Sequence, residues 1–138
     1  MASSSRSNHH RSARNSNHIG NHGEDLVACL YVDHGFEIVF RNWRAKDVGM
    51  RIELDLVVYD RANQELVVVE VKTRSSDKYG SPADAISRDK LDRMAIGIGI
   101  VRQFLEANGR PCRRCRLDVA CVTPNKIEII PNVGRTDG

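Results

Sequence analysis

The sequence has no apolar run near the roughly 20 residues that a bilayer-spanning helix needs, and its N-terminus has no apolar core of the secretory type. A cytoplasmic protein with no membrane partner is therefore expected, with Cys29, Cys112, Cys115 and Cys121 kept as reduced thiols. Partners for a structural zinc are missing too. Cys112-Arg-Arg-Cys115 is a lone C-x-x-C with no second pair and no histidine at ligand spacing, whereas such sites normally use four ligands. Packing or chance explains the pair more simply. Aromatic residues are scarce at 5% of the chain, so base stacking has few candidates. An excess of one charge is also absent from the body of the chain. The net +3 comes from Arg6, Arg11 and Arg14 in residues 1–19, a stretch without acids, and the remainder balances 18 basic against 18 acidic residues. Any nucleic-acid role must come from where charges lie rather than from their sum.

What is present suits one domain of 138 residues. Residues 1–19, rich in Ser, Asn, Arg and His, read as a disordered tail, and the fold is expected over 20–138. Apolar spacing predicts a helix from Glu24 to His34 stopped by Gly35, then a strand from Phe36 to Phe40. A basic stretch, Arg41 to Lys46, leads to a strand over Ile52–Tyr59, a polar turn at Asp60–Asn63, and a strand over Leu66–Lys72. A helix is predicted from Ser81-Pro82 to about Ala107, weakened at Gly97 and Gly99 so that it kinks or divides. Strands over Arg116–Val122 and Lys126–Ile130 close the chain. The order α-β-β-β-α-β-β implies an α/β fold, a mixed five-stranded sheet flanked by helices.

Three charges interrupt the apolar strands: Asp55 in the first of the paired strands, and Glu70 with Lys72 in the second. An unpaired ion away from water is costly, so charge on a buried strand asks for a reason. Side-chain alternation sets Glu53, Asp55 and Val57 on one face against Ile52, Leu54 and Leu56, and sets Val68, Glu70 and Lys72 against Val67, Val69 and Val71. Pairing the two strands lets Asp55, Glu70 and Lys72 converge. Two carboxylates and the Val71 backbone carbonyl between the charged pair offer the hard oxygens that Mg²⁺ or Mn²⁺ takes. Such a cation acidifies water and offsets charge building on a phosphate. Lys72 could orient the water or stabilise that charge. Glu24 shares a helical stripe with Val27, Ala28 and Tyr31 and can face the sheet. The bland alternatives are a structural salt-bridge cluster for the first three and a helix-dipole carboxylate for Glu24.

Asp55-(x14)-Glu70-x-Lys72 resembles the PD-(D/E)-x-K signature of restriction-endonuclease-like nucleases, a superfamily that includes archaeal Holliday-junction resolvases. The chain is more closely similar to the YraN-like family of small bacterial proteins, predicted to be nucleases. The matching stretches are Gly23-Glu24, Arg41-Asn42, Glu53-Leu-Asp55-Leu56, Val69-Glu-Val-Lys-Thr-Arg74, Tyr79-Gly80, Lys90-Leu91 and Arg116-Leu-Asp118-Val119, in order and at compatible spacing. The resemblance implies a restriction-endonuclease-like fold, with Asp55 and Glu70 as ligands of Mg²⁺ or Mn²⁺, Lys72 as the catalytic lysine and Glu24 as a helix carboxylate of the site. Family members carry glycine ahead of Glu-x-Asp where this chain has Ile52, so the loop entering that strand is expected to run differently.

Arg41, Arg44, Lys46, Arg74 and Lys78 flank the acid-bearing strand ends and are candidate phosphate contacts, with solvated loop charges as the alternative. Trp43 and Tyr79 lie in the same stretches and are candidates to stack on a base. Lys90 and Arg93 could extend a basic rim from the long helix or form an ordinary exposed face. Asp118 is expected to be buried and hydrogen-bonded, to a nearby arginine, rather than metal-bound. The expected function is metal-dependent hydrolysis of DNA phosphodiesters, on branched or otherwise structured DNA in repair or recombination. A non-catalytic nucleic-acid-binding module and a protein-interaction role remain open beside it. A homodimer would supply two cuts, with Ile96-Gly-Ile-Gly-Ile100 as its candidate face or, in a monomer, as core.

Overall fold

The computed structural model describes residues 15–46, 48–75 and 86–135. Its elements are α1 (Asn15–Asp33), β1 (Glu37–Arg44), β2 (Glu53–Asp60), β3 (Glu65–Thr73), α2 (Arg88–Ala107), β4 (Arg114–Val122) and β5 (Ile127–Arg135). The strands form one sheet in the order β1-β2-β3-β4-β5. β1, β2 and β3 run antiparallel; β3 and β4 are parallel, joined by the crossover containing α2; and β5 returns antiparallel to β4. The predicted order and the mixed five-stranded sheet are those of the structure.

Helices cover both faces, which is why β2 and β3 are apolar almost throughout rather than alternating. On one face α1 packs Val27, Ala28 and Tyr31 against Leu56, Val58, Val67, Val69 and Ala120. On the other, Met94, Ile98, Val101 and Leu105 of α2 meet Leu54, Val57, Tyr59, Leu66, Val68 and Leu117. Cys112 and Cys115 are buried in this second layer and form no disulfide. Burial, and next the neighbouring Cys115, push the Cys112 thiol up to about 11. Among the described residues no helix is long and apolar enough to cross a membrane.

Boundaries moved in several places. α1 begins at Asn15, ahead of both the expected start at Glu24 and the expected domain edge at residue 20; residues 1–14 of the predicted tail lie outside the described residues. β1 continues to Arg44, so Arg41, Trp43 and Arg44 belong to an edge strand rather than a loop, and Trp43 packs on the core edge with Phe40. α2 starts at Arg88, with Ser87 as its cap accepting the Lys90 N–H; the predicted start at Ser81-Pro82 falls outside the described residues. β5 runs past Pro131 to Arg135, which an edge strand tolerates because one side of its backbone needs no partner. The loop into β2 takes its positive φ at Gly49 (75°), leaving Ile52 in ordinary backbone and 2% exposed.

α2 is one continuous helix through its glycines rather than two, and Gly97 is where it sits down on the sheet. A Cβ there would lie 2.9 Å from Ile52 Cγ2 and 3.4 Å from the Leu54 methyls, while one at Gly99 meets nothing within 4 Å. Gly99→Ala should therefore stabilise the protein by about 1 kcal/mol through helix propensity. Gly97→Ala should lose that gain to overpacking, which costs about 1–3 kcal/mol. Urea denaturation of the two variants checks the contrast, and equal stabilisation by both would refute the close approach. Ile98 is core and Ile96 is 45% exposed, so the predicted apolar stripe is split between the two.

Candidate functional site

Strict alternation fails at the residue that matters most. Leu54 and Val57 lie in the same α2-side layer, while Leu56 and Val58 face α1. The expected grouping of Asp55 with Val57 against Leu54 and Leu56 is thus corrected. The partner strand breaks at the same place: Trp43 pairs with Leu54 and Phe40 with Val57, and both aromatics pack on the α2-side layer. Between them Asn42, opposite Asp55, has φ 54°, a left-handed conformation that asparagine tolerates better than most residues. The register itself shifts earlier, between Ile38 and Phe40, and is continuous from Phe40 to Arg44.

Asp55 points sideways, at β3. The β2–β3 ladder stops at the pair Leu56 and Val69, and the next hydrogen bond is made by a side chain: the Val71 N–H donates to Asp55 Oδ2 at 2.9 Å. In an extended strand the carbonyl of the same residue points the same way as its N–H, so the Val71 oxygen also faces this gap. Glu70, 3% exposed, stands on the α2 side of β3 as alternation predicts. Its Oε2 receives Lys90 Nζ at 2.5 Å and lies 3.3 Å from Lys72 Nζ. Sequence reasoning assigned Lys72 to the site and left Lys90 on an outer rim. The signals for Lys90 are its place in the first turn of the helix that crosses the sheet and the Lys90-Leu91 stretch of the resemblance.

Asp55, by contrast, has no ion-pair partner among the described residues, and it faces other acids. Burial, followed by the field of Glu70 and, more weakly, Glu24, pushes its carboxyl up to about 7 against the opposing Val71 hydrogen bond. Burial also raises the Glu24 carboxyl, ahead of the lowering effect of Arg41. Glu24 Oε1 is a buried oxygen without a hydrogen-bond partner; Arg41 stays 3.9 Å from it and pairs instead with Asp25 at 2.6 Å. Burial alone would lower the Lys90 pKa, but the hydrogen bond and field of Glu70, with Asp55 and Glu53 behind them, hold it above its usual value. The site carries crowded acids: Asp55 has no ion-pair partner among the described residues, and one buried oxygen of Glu24 has no hydrogen-bond partner.

That donor set fits a hard divalent cation. Among the described residues no three His, Cys, Asp or Glu side chains form a ready cluster. Mg²⁺, however, needs only one or two carboxylates with a carbonyl and waters. Asp55, Glu70 and the Val71 carbonyl supply this minimum, with Glu24 behind.

Beside Asp55 a cavity of about 330 Å³ opens between the entry to β2 (Arg51, Glu53) and the first turns of α2 (Ser87, Asp89, Lys90, Arg93). Its cations are Arg51, Lys90 and Arg93; Arg51 is not among the expected phosphate contacts, whereas Lys90 and Arg93 are the pair expected to extend a basic rim or form an ordinary exposed face. Of the expected phosphate contacts, Arg44 is on β1 and paired with Glu53 at 3.1 Å, and Arg41 is turned onto α1. Lys46 is exposed after β1, and Arg74 follows β3 with its N–H on the Val122 carbonyl. Lys78 and Tyr79 lie outside the described residues. Asp118 is fully buried and, as expected, bound to an arginine: Arg116 donates to it at 2.8 and 3.1 Å, the Tyr31 hydroxyl at 2.6 Å and the Asn132 N–H at 2.9 Å.

Known proteins bear on this arrangement in three ways. A solved structure, that of SSO0001, aligns with 87% of this chain and 52% of its own at 18% identity, with a TM-score of 0.43. A UPF0102 protein of Rhodococcus jostii (strain RHA1) is 40% identical over 104 residues, 75% of this chain and 80% of its own. Another, from Nitratidesulfovibrio vulgaris (strain DP4), is 38% identical over 104 residues, 75% of this chain and 71% of its own. A family model matches residues 23–122, a span that holds Glu24, Asp55, Glu70, Lys72 and Lys90. With the matched span running from the helix carboxylate to the end of β4, the chain belongs to the Uncharacterised protein family UPF0102.

Proposed function

We propose that this chain is a metal-dependent nuclease that hydrolyses DNA phosphodiester bonds. The observation that carries the proposal is the buried Asp55 carboxyl, without an ion-pair partner among the described residues, set beside Glu70 where β2 and β3 part and opening onto a cavity. Asp55, Glu70 and the Val71 carbonyl would hold Mg²⁺ or Mn²⁺, which when bound acidifies water and polarises a phosphate. Lys72 keeps an ammonium within reach of the phosphate to stabilise the charge developing on it. Arg51 and Arg93 line the cavity and position the DNA backbone, and Arg44, Lys46, Arg74 and Lys78 extend the contact. The substrate is branched or structured DNA met in repair or recombination, and the enzyme works in the cytoplasm. A homodimer places two sites on opposite strands.

An electrophoretic panel of duplex, single-stranded and junction DNA, with RNA beside them, tests this in EDTA, Mg²⁺ and Mn²⁺. Metal-dependent shortening of DNA is expected, strongest on the junction. Wild-type protein that cuts none of these with either cation overturns it. One observation favours a second reading, a nucleic-acid-binding module of the same fold: Glu70 already carries two ammonium groups and needs no cation to be balanced. Binding in EDTA that survives both Asp55→Ala and Glu70→Ala is its signature.

A further inference from the structure

We propose that Lys90 is the resident counter-ion of Glu70, which a divalent cation displaces, and that the displaced ammonium then serves the adjacent cavity as a phosphate contact; the proposal rests on the metal-dependent activity above. Lys72 and Lys90 converge on the same Glu70 oxygen. A divalent cation held by Asp55 and Glu70 would stand against both ammonium groups. At contact distance, repulsion between such charges is worth more than a factor of ten in affinity even at an interior dielectric of about 20. One of the two must give way.

Their mountings differ. Lys72 is two residues from Glu70 on the same strand, and its side chain is 22% exposed; Lys90 reaches across from α2 and is 41% exposed. Lys90 is also the one of the two that lines the cavity, together with Arg51 and Arg93. A swing of its four-carbon stem takes the ammonium from Glu70 into that space without moving backbone. Lys72 does not line that cavity. Loading the site would thus add a third cation to a cavity whose two arginines are neighboured by Glu53 and Asp89. Affinity for a phosphate would rise only once the hydrolytic site is complete.

The experiment compares the full-length wild type with Lys90→Met and Lys90→Arg by Mn²⁺ titration calorimetry, by melting in EDTA and in Mn²⁺, and by duplex DNA binding in Ca²⁺. Lys90→Met should bind Mn²⁺ about tenfold tighter than wild type, melt lower in EDTA, gain more from Mn²⁺, and bind DNA more weakly. Lys90→Arg keeps the charge and should retain the wild-type Mn²⁺ affinity, which separates charge from shape. If wild type binds Mn²⁺ and Lys90→Met binds it no tighter, Lys90 does not compete and the inference falls alone. If neither binds Mn²⁺, the metal-dependent activity falls and takes the inference with it.

Discussion

Asp55→Asn is expected to raise the melting temperature of the metal-free protein at pH 8, while abolishing its response to Mn²⁺ and reducing cleavage to the level of a protein-free control. The stability gain follows from the environment of the carboxylate. Burial and the neighbouring Glu70 hold the folded carboxyl near 7, whereas the unfolded one ionises near 3.8. Between those values the folded state keeps a proton that the unfolded state has released. Wild-type stability therefore falls as pH rises from about 4 to about 7 and is level above that. Asparagine carries no charge to desolvate, and its amide oxygen can still accept the Val71 N–H. The variant should melt with wild type near pH 4 and diverge from it up to about 7. Manganese is expected to invert the order, since on the proposed assignment it would bind the ionised carboxylate and stabilise the folded state by mass action. Melting curves in EDTA and Mn²⁺ across pH, with cleavage assayed beside them, check all three effects. Identical melting at pH 8 in EDTA, or equal Mn²⁺ shifts in both proteins, would sink the assignment.

Much of this geometry was legible because it follows from local rules. Val67, Val69 and Val71 opposite Val68, Glu70 and Lys72 is a plain alternating strand. The Asp60–Asn63 turn is polar between apolar runs, and Glu24 falls on the buried stripe of its helix. What could not be read depends on one backbone residue or on distant packing. Asn42 takes the left-handed region where the alternation of β1 and β2 fails together, and no periodicity count allows for such a shift in mid-strand. The side-chain substitution of Asp55 for a ladder carbonyl accompanies that shift. Lys90 meets Glu70 where Gly97 lets α2 lie close on β2, a tertiary contact that the Lys90-Leu91 stretch marks without revealing its partner. The expected last strand ends at Ile130 whereas β5 runs on to Arg135, and nothing in the sequence marks β5 as an edge that tolerates Pro131.

The largest stability loss is expected from Asp118→Ala, although Asp118 lies outside the proposed chemistry. Its two oxygens accept from Arg116, from the Tyr31 hydroxyl of α1 and from the Asn132 N–H of β5, so one residue ties the helix to both late strands. The β4–β5 register slips beside it, between Leu117 and Val119, and Asn132 adopts φ 59° there. The bulge turns the Asn132 N–H inward. Removing the carboxylate leaves the Tyr31 hydroxyl and that N–H without an acceptor. Arg116, with its side chain 25% exposed, retains only Glu65 at 3.2 Å among these contacts. Breaking a buried pair from one side costs about 3–5 kcal/mol, a large share of the 5–15 kcal/mol typical of a domain. Tyr31→Phe removes one donor of several and should cost about 1.5 kcal/mol. Asp118→Leu combined with Arg116→Met takes away both charges and should recover much of the loss. Chemical denaturation of these variants orders them, and cleavage per folded molecule should stay near wild type throughout. A loss below about 1 kcal/mol for Asp118→Ala would mean that Arg116 and Tyr31 find water instead. A cleavage defect without a stability defect would move Asp118 from the scaffold into the active site.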